Sequence, residues 1–321
     1  MLDTQKLKNL STYIHTDLRL LGGLVSSALV SPYRPLMVNL VPTRRCNLSC
    51  GYCNEYDQTS APVSLSLLKE RIANLAKLRT VIVTLTGGEP LLHPEIAEVV
   101  SYIRTRGMTP AMNTNGFLLS AEKIKQLNEA GLYAMQVSVD AVTPNAVTKK
   151  ALKPLLPKLR LLAEQAVFRV RINTVLGAAP AEEALEVVRT VMGLGLEAKC
   201  SLLRNSDGTT SALDAHTRAI YQQIAKLEGR FNGLFGESFQ DALLRDGQVD
   251  WKCRAGARFF HVCEDGLVHL CGPRYGMPAT PLSLYTEADI RRAFHEKKDC
   301  AATCPVAYAH QASQLDKFRS Q

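Results

Sequence analysis

Residues 36–53 read LMVNLVPTRRCNLSCGYC, an apolar run followed at once by a loop with three cysteines. The run Leu36–Val41 predicts a short buried strand. Cys46, Cys50 and Cys53 have the spacing C-x3-C-x2-C, which brings three thiolates within reach of one small inorganic core. A 4Fe–4S cluster normally takes four protein sulfurs, so a loop that supplies three leaves one iron free to bind another molecule. On spacing alone, a structural zinc loop and three reduced thiols remain alternatives.

Strands and helices alternate along the chain after this stretch. Further apolar runs predict five more strands, at Val81–Leu85, up to Asn113, and at Met135–Val139, Val167–Val175 and Leu196–Leu203. Such alternation indicates a parallel sheet with right-handed crossovers. Six units can curve into an incomplete barrel, in which ligands bind at the carboxyl ends of the strands. The cysteine loop follows the first strand and therefore lies at that end.

The cysteine loop resembles that of the radical S-adenosylmethionine (radical SAM) superfamily, which carries C-x3-C-x2-C with an aromatic residue, here Tyr52, before the third cysteine. The resemblance implies an α/β fold with a partial (β/α)6 TIM-like barrel. It also implies a 4Fe–4S cluster on Cys46, Cys50 and Cys53, with S-adenosyl-L-methionine on the open iron. Reductive cleavage of SAM would release a 5′-deoxyadenosyl radical that abstracts hydrogen from a substrate, as an oxidoreductase-like enzyme does.

Motifs at the next strand ends match the same family. The second strand runs into Gly87, Gly88 and Glu89, similar to the GGE motif that holds the amino group of SAM, and glycines suit close backbone approach. The resemblance implies further cofactor contacts by Tyr52, Asn115, Ser138, Asp140 and Asn173. A common turn at the Asn-Gly position and a helix cap at the Asp position are the alternatives. No residue is identified as a catalytic acid or base.

Four further cysteines lie beyond the predicted barrel. Cys253 and Cys271 flank Asp265-Gly266, which predicts a hairpin with a type I′ turn, and Cys300 and Cys304 follow. This order resembles the SPASM/twitch extension of radical SAM enzymes. It implies the shorter twitch form, with one auxiliary 4Fe–4S cluster on these four thiolates. A structural zinc ion on the same four is the alternative.

Two of the nine cysteines are left over. Cys200 ends a predicted barrel strand, and Cys263 lies within the hairpin. Buried inert thiols are the expectation for both. Two alternatives stay open: Cys263 as a ligand in place of one of the four, and a role of Cys200 on the substrate side.

The composition excludes several classes of protein. With 321 residues, 46% hydrophobic and 21% charged, the chain resembles an ordinary globular enzyme. The cysteines are badly distributed for a secreted disulfide scaffold and favour metal clusters in a reducing cytoplasm. Part of the net charge of +8 lies in a basic run from Lys149 to Arg171, which we interpret as a solvated helix face. Nucleic-acid binding would require interleaved aromatic residues, so no nucleic-acid partner is expected.

The chain divides into three predicted segments. Residues 1–35 form an N-terminal helical segment, 36–210 the barrel, and 211–321 a linker helix with the auxiliary-cluster extension. Apolar residues at helical spacing from Leu7 to Val25 predict an amphipathic helix packed against the barrel, with contact to a membrane surface as the alternative. The uncharged stretch 20–33, interrupted by Gly22, Gly23 and Pro32, is too short and broken to span a bilayer.

Ligation by four cysteines predicts an auxiliary cluster that accepts an electron, and hence net oxidation of the substrate. Peptide maturases of the family often carry a peptide-recognition module before the barrel, and molybdopterin-precursor cyclases end in Gly-Gly. Residues 1–35 and the final Ser320-Gln321 fit neither pattern, so a small-molecule or natural-product substrate is expected. A peptide-modifying maturase, an adenosyl or group transferase on a lipid-like acceptor, and a non-catalytic metal-binding protein remain alternatives. A flavodoxin- or ferredoxin-type reductant is the expected protein partner.

Overall fold

The structure is a computed structural model that describes residues 17, 20–23, 25–26, 31–53, 55–205, 209–228, 239–274, 277 and 279–316. Most of the predicted amphipathic helix lies outside these residues. Of it, Asp17 accepts a 2.5 Å hydrogen bond from the Tyr133 hydroxyl and pairs with Arg169 at 3.1 Å, beside the first residues of two neighbouring strands. Within the described ranges, no helix is long and apolar enough to cross a membrane.

The described strands form one nine-stranded sheet. Their bounds are β1 Met37–Thr43, β2 Ile82–Gly87, β3 Thr109–Thr114, β4 Ala134–Ser138, β5 Arg169–Leu176, β6 Glu197–Leu202, β7 Phe259–Val262, β8 Leu267–His269 and β9 Thr280–Pro281. The order across the sheet is β6-β5-β4-β3-β2-β1-β7-β8-β9. Strands β1 to β7 run parallel to one another, and β8 and β9 are added to β7 by antiparallel pairing.

Helices cover the outer side of the six barrel strands. The bounds of the described α-helices are α1 Leu65–Lys77, α2 Ile96–Thr105, α3 Ala121–Ala130, α4 Leu152–Gln165, α5 Ala181–Gly193, α6 Ala215–Leu227, α7 Phe239–Asp246, α8 Glu287–His295 and α9 Ala307–Ser313. Helices α1 to α5 each carry the chain from one parallel strand back to the start of the next, as a parallel pair requires. The predicted partial (β/α)6 barrel is confirmed.

Alternation along each strand separates the helix-facing side from the barrel interior. Val38 and Leu40 of β1 are fully buried in the apolar core that also contains Leu68 and Ile72 of α1. Asn39, between them, lines a cavity inside the barrel. Because successive side chains of a strand point to opposite faces, the outer side is apolar while the inner side is free to carry polar groups.

The C-terminal hairpin extends the barrel sheet beyond β1. Strand β7 pairs in parallel with β1, and Met37 lies opposite Phe259. Arg258, just before β7, accepts a 2.7 Å hydrogen bond at its carbonyl from the Leu36 amide. Its guanidinium makes two 2.7 Å hydrogen bonds to Asp316, and both side chains are fully buried. This ion pair ties the C-terminal residues to the start of β1.

The β7–β8 hairpin forms as predicted, but the predicted turn type is wrong. A type I′ turn needs positive φ at both central residues. Gly266 has a φ of 83°, whereas Asp265 is not among the described residues with positive φ. The Gly266 amide donates to the Cys263 carbonyl at 2.9 Å, and the Cys263 amide donates to the Leu267 carbonyl at 3.1 Å. A three-residue loop with a glycine bulge therefore closes this hairpin.

Candidate functional site

The cysteine loop lines a cavity of about 320 Å³ at the carboxyl ends of the barrel strands. Cys46, Cys50 and Cys53 all line this cavity. The Gly51 amide donates to the Val147 carbonyl at 2.9 Å, so the loop between β4 and α4 supports the cysteine loop. The three predicted thiols therefore share one open space with room for a further ligand.

The donor chemistry of this loop fits an iron–sulfur cluster. The Leu48 amide donates to Cys46 Sγ at 3.4 Å, and the Lys149 amide donates to Cys50 Sγ at 3.3 Å. Backbone donors of this kind stabilise sulfur in its thiolate form, which is the form that binds iron. Burial raises the pKa of Cys46 and Cys53, because a thiolate loses its hydration there. A bound cationic metal centre would offset that loss.

Gly87 and Gly88 line the same cavity and pack against the backbone that leads from β1 into the cysteine loop. The Gly88 amide donates to the Thr43 carbonyl at 3.1 Å. A Cβ atom on Gly88 would lie 2.3 Å from the carbonyl oxygens of both Arg44 and Arg45, so only glycine fits. The glycine pair thus allows the start of the cysteine loop to pack closely against the end of β2. Its contact with the cofactor stays a prediction.

Glu89 lies behind the cavity rather than in its lining. Its fully buried carboxylate accepts hydrogen bonds from the Leu91 amide at 3.0 Å, the Thr114 hydroxyl at 2.7 Å and the Asn115 amide at 2.7 Å. Burial raises the pKa of Glu89, and these hydrogen bonds oppose the rise. The side chain ties the end of β2 to the end of β3. A direct contact of Glu89 with the cofactor stays a prediction.

Three of the five remaining predicted cofactor contacts line the cavity, and Asp140 and Asn173 do not. Asn115 and Ser138 line it together with the cysteines, and Asn115 Nδ2 lies 3.7 Å from Cys46 Sγ. Asn173 instead lines the neighbouring barrel cavity, where its side-chain oxygen accepts a 2.7 Å hydrogen bond from the Ser201 hydroxyl.

Tyr52 lines the cavity, and its hydroxyl belongs to a buried network. That hydroxyl donates to Asp140 Oδ2 at 2.7 Å and accepts from Lys150 Nζ at 2.8 Å. Asp140 is fully buried and does not line the cavity, whereas Lys150 does. Burial lowers the pKa of Lys150, but the adjacent Tyr52 and Asp140 outweigh burial and raise the pKa above its usual value, so this lysine carries a positive charge.

Sequence reasoning missed Lys150, because it belongs to a basic run that resembles a solvated face. The structure places it in the loop between β4 and α4, half-buried at the cavity. The signal that could have found it is its position in a loop that follows a strand on the ligand-binding side of the barrel.

The four C-terminal cysteines surround a second, much smaller cavity of about 20 Å³. Its lining includes Cys253, Cys271, Cys300 and Cys304. Burial and, to a smaller extent, the neighbouring thiols of the set raise the pKa of Cys253 and Cys271 to about 12. The Arg274 amide donates to the Cys271 carbonyl at 3.0 Å. Four sulfurs around one small space, three of them on half-buried cysteines and one on the exposed Cys300, fit a closed cluster.

The two left-over cysteines lie elsewhere. Cys263 is buried at the end of β7 and lines neither the loop cavity nor the four-cysteine cavity. Cys200 is fully buried in an apolar cluster with Leu185 and Ile220. Across the described part of the chain, no group of three or more His, Cys, Asp or Glu side chains is arranged to hold a single metal ion.

A larger cavity of about 560 Å³ occupies the barrel interior and adjoins the cysteine-loop cavity. The residues that line both cavities are Glu55, Asn113, Gln136, Leu202 and Arg204. Side-chain amides from four strands line the larger one: Asn39, Asn113, Gln136 and Asn173. A space of this size and polarity suits a substrate that forms many hydrogen bonds.

Comparison with known protein families matches residues 40–202, from β1 to the end of β6, to the radical SAM superfamily. The AdoMet-dependent heme synthase of Methanosarcina barkeri is 28% identical over 200 residues, which cover 59% of this chain and 56% of that protein. The PqqA peptide cyclase of Xanthomonas oryzae pv. oryzae is 30% identical over 211 residues, which cover 56% of this chain and 55% of that protein. The chain thus spans about half the length of the curated relatives it matches.

Solved structures show the same fold. SuiB of Streptococcus suis bound to S-adenosylmethionine matches with a TM-score of 0.64 at 16% identity, over 83% of this chain and 69% of SuiB. SuiB bound to its precursor peptide SuiA also matches with a TM-score of 0.64. Peptide-modifying radical SAM enzymes of the SPASM/twitch type are thus among the relatives and neighbours. From the matched strands and the cysteine loop at their carboxyl ends, this chain belongs to the radical SAM superfamily, whose members are enzymes that use a 4Fe–4S cluster and SAM.

Proposed function

We propose that the chain oxidatively modifies a polar substrate, either a small molecule or a peptide segment, bound in the barrel cavity. The observation that carries the proposal is the junction of two cavities. The loop cysteines line one with Gly88, Ser138 and Lys150, and this cavity adjoins the amide-lined barrel interior. When bound, the cluster and SAM supply a 5′-deoxyadenosyl radical that takes a hydrogen atom from the substrate.

The chain would hold the cofactor through a small set of side chains and backbone groups. Cys46, Cys50 and Cys53 would ligate three irons. Two cations, Lys150 and Arg204, line the cavity. The charge of Lys150 acts on the Cys46 and Cys53 thiols, so this lysine is placed to bind the carboxylate of SAM beside the cluster. Backbone carbonyls at the end of β2 would accept hydrogen bonds from the SAM amino group.

The four C-terminal cysteines would hold an auxiliary 4Fe–4S cluster. Four sulfurs around a space of about 20 Å³ leave no position open for a substrate. A site of this kind suits the removal of one electron from the substrate, which completes a two-electron oxidation. A structural zinc ion on the same four sulfurs is the alternative, and metal analysis separates the two.

The barrel cavity supports a polar substrate over a flat apolar one. The amides of Asn39, Gln136 and Asn173 offer both donors and acceptors to a ligand. A peptide backbone and a hydroxylated small molecule both present matching groups. The similarity to a PqqA peptide cyclase and the fold shared with SuiB support a peptide, whereas the sequence favoured a small molecule.

Anaerobic reconstitution with iron and sulfide tests the proposal. The expected result is about eight irons per chain, as two cubane clusters require. Dithionite and SAM should then yield 5′-deoxyadenosine without added substrate. Bound zinc together with intact SAM would contradict the proposal. A covalent adenosyl adduct on an acceptor would favour the transferase alternative.

A further inference from the structure

We infer that Asp140 is a positioning residue: it fixes Lys150 and the loop beside Cys50 and does not itself contact the cofactor. The inference rests on the proposed role of the cysteine-loop cavity as the SAM site. Asp140 is fully buried behind that cavity, whereas Tyr52 and Lys150 line it. A carboxylate in that place acts on the cavity through its neighbours.

The first connection runs through a tyrosine. Asp140 Oδ2 accepts from the Tyr52 hydroxyl at 2.7 Å, and that hydroxyl accepts from Lys150 Nζ at 2.8 Å. The ammonium also lies 5.0 Å from the centre of the Tyr52 ring. A free lysine side chain samples many rotamers, and these contacts select the one that reaches the cavity. The buried negative charge also favours the ammonium form.

The second connection runs through the backbone of the same loop. Asp140 Oδ2 accepts from the Thr148 hydroxyl at 3.0 Å, and Thr148 Oγ1 accepts from the Lys150 amide at 3.1 Å. The Asp140 amide donates to the Lys150 carbonyl at 2.8 Å. Lys149, which lies between Thr148 and Lys150, donates its amide to Cys50 Sγ at 3.3 Å. The carboxylate therefore holds the segment that supports one cluster ligand.

A helix-capping role does not account for Asp140. The next helix, α4, begins after Ala151, and no side chain caps its first turn. The hydrogen bonds of the Asp140 carboxylate to Tyr52 and Thr148 lead toward the cysteine loop and Lys150 instead. The common structural explanation for an aspartate after a strand therefore fails at this position.

Two variants and two probes test the inference on the reconstituted full chain. Asp140→Asn keeps the size of the side chain and removes its charge, and Tyr52→Phe removes the hydroxyl that joins Asp140 to Lys150. The probes are SAM and decarboxylated SAM, whose dissociation constants are measured by equilibrium dialysis. Because Lys150 would act on the carboxylate, both variants should weaken SAM binding by about tenfold or more, since each loses a charge-assisted hydrogen bond. Both should bind decarboxylated SAM nearly as the unaltered chain does.

Glu183→Gln is the matched control. Glu183 also holds the β4–α4 loop, through a 2.5 Å hydrogen bond from the Val142 amide, but it lies outside the Asp140 network. It should leave both dissociation constants unchanged. The inference is overturned if Asp140→Asn or Tyr52→Phe binds SAM normally, or if either binds the two probes equally poorly, as a general defect in folding would cause. If the unaltered chain binds neither probe, the proposed function fails instead.

Discussion

The two cysteine sites differ in the number of sulfurs they present and in the space beside them. Three thiols of the cysteine loop line a cavity of about 320 Å³ that adjoins the barrel interior, whereas four C-terminal thiols enclose about 20 Å³. An iron at the first site would keep a position for SAM, and an iron at the second would not. The chemistry available to a cysteine set is thus decided by the space that the fold leaves next to it.

The largest expected effect separates the two sites completely. Cys46→Ala should reduce 5′-deoxyadenosine formation by at least about a hundredfold, because two remaining thiols cannot hold a cluster with one open iron. Iron should fall from about eight to about four per chain, since the C-terminal site is untouched. Chromatography of the nucleoside product and iron analysis measure both. Cys263→Ala, at a buried cysteine in neither cavity, is the control and should retain both values. Persistent SAM cleavage in Cys46→Ala would contradict this view of the first site.

The second largest effect is expected where the cysteine loop packs against the end of β2. A Cβ at position 88 would lie 2.3 Å from two backbone carbonyl oxygens, so Gly88→Ala must displace the loop. We expect SAM cleavage to fall by about tenfold or more, with iron lost from the first site only. Gly193→Ala is the matched control, because a Cβ there meets no atom within 4 Å. Normal SAM cleavage by Gly88→Ala would show that the loop tolerates the displacement.

A smaller effect on SAM cleavage is expected at the C-terminal site. Cys271→Ala should lose about four irons, because a cubane needs four ligands there. Dithionite reduces the first site directly, so 5′-deoxyadenosine formation without substrate should stay within about threefold of normal. Oxidation of the true substrate should be lost. A large loss of SAM cleavage would show that the two sites depend on each other.

The smallest effect on SAM cleavage, but a large one on stability, is expected at the buried ion pair. Asp316→Asn removes one charge and leaves Arg258 buried without its partner, which should lower the free energy of unfolding by about 3–5 kcal/mol. SAM cleavage per folded molecule should not change. Denaturant unfolding measures the difference, and Glu287→Gln, which breaks an exposed pair with Arg291, should change it by only about 0.5 kcal/mol. Unequal iron loss from the two sites during unfolding would show that they belong to separate folding units.

The sequence predicted the elements well because their signals are local. Apolar runs such as Leu36–Val41 mark the barrel strands, and the order of strands and helices then places the cysteine loop at the ligand-binding end. The role of Lys150 was not predictable, because it depends on Tyr52 and Asp140, which are 88 residues apart in the chain. The orientation of the Glu89 side chain could not be predicted either, because it depends on hydrogen bonds from the end of β3. Pairings over such separations leave no pattern in a single sequence.

The parallel pairing of β1 with β7 means that the strand leading into Cys46 has a neighbour on both sides. A fragment cut at residue 210 would expose a row of backbone amides and carbonyls along β1, next to a fully buried Leu40. An exposed strand edge of this kind can pair with strands of other chains. The barrel portion alone is therefore expected to aggregate on expression. A naturally shortened form of this protein would have to cover or pair the exposed edge of β1 with another segment.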